Sequence, residues 1–401
     1  MNILGQEVSV LIQHDEVLAG LLFFLPGLAF WLTKRYKWAR YVSAPGFCYL
    51  FGILLSNLRI APAEHPMYDI ISSYAVYMAL AMVLFSVNIK SWLKLAKNAI
   101  IGMFVACVVV FVIAIIGGVI FAMRIDPEHG WKLTGMLIGT YTGGSMNLAA
   151  VGKALDTPSS LFVATNAADI IFGSLFLPIQ LALIPLFERM RVKKLPQELL
   201  MGVGQNEEEI ERVKKEGYWH KKSWNFYDFT YIVSLAGLIM AISYFLSRAF
   251  DFGMWKGSVN ILLLTTFSLI AGSTKTVSSL VGNEEIGMYL LHVFFVSCGA
   301  TAYIPNLLQS SPFIALWVAL TIYIGAFLHY FFCMKVANID YQTALVTAQG
   351  AVGGPSSAMA LPIAAQWPAL AVTGLVCGLI GYAVGNYLGV AGAYIVFKLI
   401  S

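Results

Sequence analysis

Charge is what this chain has least of. Only 11% of its 401 residues are Asp, Glu, Lys or Arg, where a soluble domain carries about 25%. That excludes an ordinary water-soluble globule. Cysteine is scarce too. Cys48, Cys107, Cys298, Cys333 and Cys377 all fall in apolar stretches, with no CxxC and no Cys/His ligand spacing, so neither a disulfide framework nor a zinc site is expected. They read as small packing residues. A G-x-x-x-x-G-K-[ST] phosphate loop is missing, which argues against ATP-driven transport. HExxH, DDxxD and Gly-x-Gly-Asp strings are missing as well, and only one acid, Asp169, lies deep in an apolar segment. Paired intramembrane carboxylates are therefore lacking and no enzyme activity is expected. A net charge of +4 carries no nucleic-acid reading in such a chain, and nothing points to haem or flavin.

What the chain has instead is apolar length. Hydrophobic residues make up 59% of it, and the mean hydropathy is +0.77. A membrane span needs about 20 apolar residues, so roughly ten to twelve fit. Apolar segments fall at 17–33, 41–57, 68–89, 98–123, 132–155 and 159–187. A polar stretch follows, and then 226–249, 259–281, 285–308, 313–335, 341–365 and 366–399. The expected organisation is a first repeat over 1–187, a polar linker over 188–225 and a second repeat over 226–401. His14, Asp15 and Glu16 precede the first apolar run without a basic stretch, so the first span is expected to be a retained anchor rather than a cleaved leader.

Basic residues orient these segments, because Lys and Arg concentrate in cytoplasmic loops. Lys34, Arg35, Lys37 and Arg40 follow the first span, and Lys90, Lys94 and Lys97 follow the third. The linker carries nine basic residues between Arg189 and Lys222 against seven glutamates. All three loops belong inside, which puts the N-terminus outside, and the stretch Asn206 to Glu216 can form a short charged surface helix. Three segments separate Lys97 from the linker, yet an even number of crossings is required. The simplest resolution is that 132–155 enters and returns without crossing. A rival is that 159–187 breaks at Pro178 or Pro185. The expected fold is then an all-α polytopic membrane protein of two inverted-topology repeats, with about ten transmembrane helices plus two re-entrant or broken, crossed helices. Twelve full membrane segments are the alternative.

The glycines mark where the breaks fall. Thr140-Tyr141-Thr142-Gly143-Gly144-Ser145-Met146-Asn147 and Gly350-Ala351-Val352-Gly353-Gly354-Pro355-Ser356-Ser357 lie 210 positions apart, each in the fifth segment of its half. Each Gly weakens a helix by about 1 kcal/mol relative to Ala, and Pro355 stops a helix from continuing backward. At membrane depth, broken backbone survives only inside protein or along a watery cavity. Paired breaks in corresponding places point to a secondary transporter's site. Gly143, Gly144, Ser145, Asn147, Gln349, Gly353, Gly354, Ser356 and Ser357 are therefore the candidate substrate-binding residues. Thr140, Thr142, Thr165, Asn166 and Asp169 are the candidate ion-coupling residues. Hydroxyl, amide and carbonyl oxygens suit a hard cation, and Na⁺ at Asn147, Asp169 and Ser357 is the metal expectation; no other cofactor is expected. Asp169 shares a helix face with Asn166 and Thr165, and a buried acid in a span costs roughly 2.5–3.5 kcal/mol. Close packing by small residues is the competing explanation for the glycines. Lys275 is expected to snorkel to the cytoplasmic surface, and His292 and His329 to be hydrogen-bonded core residues.

The strings GTYTGGSMNLAAVGKAL, ATNAADIIFGSLFLP and AQGAVGGPSSAMALP resemble the YjcL-type family of bacterial membrane proteins across essentially the whole chain. More remotely, the chain is similar to ESS-type glutamate–sodium symporters and the wider bile-acid and arsenite transporter group. That resemblance implies crossing points at Gly143, Gly144, Gly353 and Gly354, with Ser145, Asn147, Ser356 and Ser357 lining substrate and sodium sites. No arginine stands near either glycine motif to pair a substrate carboxylate. The expected function is Na⁺- or H⁺-coupled symport of a small organic anion or amino acid by alternating access. Expected partners are that small molecule, the bilayer of a bacterial inner membrane and a second copy of the chain as a homodimer. A passive channel, or a transporter-fold receptor or regulatory protein, is the alternative.

Overall fold

The computed structural model describes residues 11–401 apart from 13, 37–38, 63–64, 87–96, 197–199, 201–222, 250–255 and 302–310. Lys37, Lys90, Lys94 and the linker segment Asn206 to Glu216 lie outside the described residues, and so does the Ser356 side chain. Among the described residues every long element is helical. The first half contributes α1 (Asp15–Arg35), α2 (Ala39–Asn57), α3 (Pro66–Phe85), α4 (Lys97–Ile125), α5 (Gly130–Gly143), α6 (Ser145–Ala154) and α7 (Ser159–Arg189). The second contributes α8 (Phe226–Ala249), α9 (Lys256–Gly272), α10 (Asn283–Ala300), α11 (Pro312–Phe331, closed by a π turn over Phe332–Val336), α12 (Tyr341–Ala364) and α13 (Ala371–Ile400). Each half thus runs as three helices, a long fourth, a broken fifth and a closing sixth.

Local chemistry explains the boundaries. Pro66 and Pro312 sit in the first turns of α3 and α11, where a missing N–H costs nothing. The His65 and Ser311 side chains accept backbone N–H bonds at those starts. α7 stays a single helix through Pro178 and Pro185. Gln180 helps hold it there: its Nε2 donates to the Tyr330 hydroxyl (2.7 Å) and to the Leu345 carbonyl (3.0 Å). The break in the first half falls at Gly144, not at these prolines.

By length and composition, seven described helices can span a membrane: α1, α3, α4, α7, α8, α11 with its π turn, and α13. Ala44–Asn57 in α2 and Ser258–Gly272 in α9 are shorter apolar stretches. The chain is a polytopic all-α membrane protein. Its apolar outer surface fits lipid, with Phe104, Phe245 and Phe327 at 67–70% exposure.

Two groups of helices can be distinguished by what they pack against. α3 lies on α10, and α2 and α1 also lean on α10, while α9 and α8 lean on α3. α4 lies on α11, and both flank the broken elements. Elements at the same place in the two halves therefore pair with each other (α3 with α10, α4 with α11, α5 with α12).

Candidate functional site

The first glycine pair makes a hairpin. Gly144 sits at φ 107° and ψ −176° between α5 and α6, a conformation that side chains with a Cβ rarely adopt. The chain turns back on itself there. Gly139 of α5 lies against Asn147 and Val151 of α6, and Gly135 lies against Leu155. At the open end, Lys132 Nζ donates to the Asp156 carbonyl at 2.7 Å. A straight run from Lys132 to Asp156 would span about 36 Å at 1.5 Å per residue.

The second pair repeats the device. Gly354 sits at φ 70° and ψ −172° within α12. Val346 and Ala358, on either side of the break, both press against Gly374 of α13. The two ends close through an edge-to-face pair, Tyr341 against Trp367, with centroids 5.8 Å apart.

The hairpins enter from opposite ends of the bundle, and α4 is the ruler. Gly130, at the base of the first, packs on Ala122 near the C-terminus of α4. Asp340, at the base of the second, lies 3.5 Å from Asn98 near its N-terminus. Tyr341 N also donates to the Lys193 carbonyl (3.1 Å), which ties the second base to the start of the linker. The tips meet in the middle. A Cβ built on Gly144 would sit 3.3 Å from Gly354 Cα, and one on Gly354 would sit 2.8 Å from the Gly143 carbonyl oxygen. The contact is backbone on backbone, which only glycine permits.

α13 is the platform for both tips. Gly374 and Gly378 press on Ala358 and Pro355 of α12, whereas Gly381, Gly385 and Gly389 press on Thr142, Asn147 and Gly135 of the first hairpin. Asn147 Nδ2 donates to the Gly381 carbonyl at 2.9 Å, so one candidate side chain pins the first hairpin to α13. Thr142 is satisfied by its own helix, through the Ile138 and Gly139 carbonyls (2.8 and 3.1 Å). Thr165 is likewise spent on Leu161 O at 2.8 Å. Ser357 Oγ donates to Gly354 O (3.3 Å) and lies with Gln349 against Gly353. Ser145 is half-buried at the start of α6, and Asn166 is buried.

Asp169 is buried on α7. It faces the Tyr141 phenol of α5 and stands within electrostatic range of Tyr49 on α2. The Tyr49 phenol oxygen is buried with no hydrogen-bond partner among the described residues. Thr140 Oγ1, Asn147 Oδ1 and Gln349 Oε1 share that state. A buried polar atom left unpaired costs about 1–3 kcal/mol, so each of these atoms calls for a partner. These are the oxygen donors that a hard cation or a polar solute takes. The structure brings Gly143, Gly144, Gly353, Gly354, Thr142, Asn147, Gln349 and Ser357 together around the tips. It sets Asp169, with Thr165 and Asn166, on the flank beside Tyr141, and among the described residues no hydrogen bond links Asp169 to Asn147 or Ser357. No cluster of three acidic, His or Cys ligands occurs among the described residues.

Sequence reasoning missed Tyr49, Tyr141 and the glycine ridge of α13. The ridge has a readable trace, since Gly374, Gly378, Gly381, Gly385, Gly389 and Gly392 recur at steps of three and four. His329 does bond within the core, to Ala344 O at 3.0 Å. His292 bonds Met288 O through Nδ1 while its Nε2 is unpaired. Lys275 is exposed.

Tip-to-tip hairpins seated on one glycine-faced helix define a polytopic membrane protein with a central, partly polar crossing point. Residues 20–399 match the family described as protein of unknown function (DUF819), and the chain belongs to that family. It is 26% identical over 403 residues to the uncharacterized membrane protein YjcL of Bacillus subtilis (strain 168), covering 94% of this chain and 96% of that one. The chain is a multi-pass membrane protein of this bacterial type.

Proposed function

We propose that this protein is a secondary active transporter, a Na⁺- or H⁺-coupled symporter of a small organic anion or amino acid. The observation that carries the reading is the meeting of two glycine-tipped hairpins that enter from opposite ends, at Gly144 and Gly354. Broken helices at mid-depth offer free backbone groups for solute and ion together. Thr140, Asn147 and Gln349 supply unpaired oxygens beside them, and Asp169 supplies the charge that Na⁺ or H⁺ would meet.

Ten crossings, α1–α4, α7–α11 and α13, leave the hairpins re-entrant. The second half is then inverted relative to the first, and the linker lies in the cytoplasm of a bacterial inner membrane. The shared packing of α1–α3 with α8–α10 supports a scaffold, with a homodimer contact on it. α4–α7 with α11–α13 form the body that moves for alternating access.

A stability screen of the purified protein against small organic acids and amino acids, in Na⁺ and in choline, tests this. Expected is a solute that raises Tm only with Na⁺ or with lowered pH, and that accumulates in proteoliposomes along the matching gradient. Asp169→Asn should abolish the gradient-driven accumulation while the protein still purifies folded. Flux that persists unchanged after both gradients are collapsed would establish a passive pore instead.

A further inference from the structure

A polar cavity of about 300 Å³ opens between the two helix groups at the base of the first hairpin. Tyr68, Asp69 and Ser72 of α3, with Ser297 and Cys298 of α10, form one wall, and Lys132, Lys153, Asp156 and Thr157 form the other. Lys132 is only 9% exposed. An ammonium has three donors, and among the described residues this one bonds a single backbone carbonyl, Asp156 O, with the Trp131 ring 5.8 Å away. Lys153 reaches Asp69 across the cavity only loosely, at 3.9 Å. Thr157 Oγ1 is buried with no partner.

The start of α7 faces the same space through Pro158 and Ser159. Pro158 occupies the N-cap and places no side-chain bond on the first turn. A 31-residue helix thus presents free N–H groups and the positive end of its dipole to the cavity. Two ammonium groups, an unpaired hydroxyl and an uncapped helix start converge on one volume, as anion recognition requires. Asp69 and Asp156 line the volume as well. They offset much of the positive charge, which suits a singly charged or zwitterionic carboxylate better than a phosphate.

We propose that this cavity is a loading site for a small carboxylate-bearing solute, read by Lys132, Lys153, Thr157 and the first turn of α7, ahead of the hairpin tips. The assignment rests on the transporter reading for its purpose, but its binding is measured without transport. Cys298 serves as the reporter. It lines the cavity and is half-buried, whereas the other four cysteines are buried.

The experiment follows labelling of Cys298 by a membrane-impermeant maleimide, read by mass spectrometry, on the full-length protein in nanodiscs. Succinate and L-alanine are the probes, and sodium chloride at matched ionic strength is the control. Expected is slowing of up to about threefold with a carboxylate probe at twice its dissociation constant, and none with chloride. Protection by succinate alone identifies a plain anion; protection by L-alanine as well identifies a zwitterion. Lys132→Gln should remove the protection. Lys132→Arg should keep it, which separates charge recognition from loss of fold. Equal protection by chloride, no protection by either carboxylate, or protection undiminished in Lys132→Gln at unchanged Tm overturns the assignment. Such a failure would leave gradient-driven uptake and its dependence on Asp169 intact.

Discussion

α7 and α13 hold the same place in their respective halves, yet they do opposite jobs. Two-thirds of the α13 span is buried (67%), against 18% of the α7 span. α13 carries six glycines and lies under both hairpins; α7 carries one, Gly173, and lies at the flank. α13 has no acid, whereas α7 brings Asp169. The broken fifth elements have the same form in both halves, whereas the sixth elements differ: one is a glycine-faced platform and the other holds a buried acid. In the proposed transporter the two halves share the backbone break, while the chemistry comes from where they differ.

Three substitutions test that contrast, from the largest expected effect downward. Gly381→Leu should destabilise the protein by about 3 kcal/mol or more, because overpacking costs 1–3 kcal/mol even where neighbours can yield. Here the obstacle is the Thr142 carbonyl, which cannot move without shifting the hairpin. Loss of monodisperse protein in size-exclusion chromatography, or a large fall in Tm, checks it. Asn147→Ala should cost about 0.5–1.5 kcal/mol by removing the bond that pins the first hairpin to α13, while the Gly381 carbonyl keeps its intrahelical partner, seen as a moderate Tm drop. Gly173→Ala on α7 should stay within about 0.5 kcal/mol or gain slightly from helix propensity, since its added methyl meets only Asp169 Oδ1, at 3.5 Å. A Gly173→Ala protein as unstable as Gly381→Leu would erase the distinction between platform and flank.

Much of this was legible in the sequence, for identifiable reasons. Apolar runs betray helices, and the segments at 132–155 and 341–365 fall on the two hairpins. Counting basic loops required an even number of crossings, for which a returning 132–155 is the simplest resolution, and the Lys132–Asp156 contact brings the ends of that segment together. Gly144 and Gly354 each carry the positive φ that a Gly-Gly pair permits. Less legible was which polar side chains were available. Thr142 and Thr165 donate to carbonyls three or four residues back, as helical hydroxyls do, which leaves them only their lone pairs to offer. Tyr49 and Tyr141 were missed because an aromatic in an apolar segment reads as packing. The α13 ridge was missed because glycine is common in membrane helices, and its meaning depends on what lies across from it.

The first hairpin base is fastened by a buried ammonium on a carbonyl, whereas the second adds one ring against another to an exposed ammonium on a carbonyl. Dissolved electrolytes compete with an ammonium contact and are indifferent to a ring pair. Salt therefore weakens an ammonium contact at either base, while the Tyr341–Trp367 pair goes on holding the second.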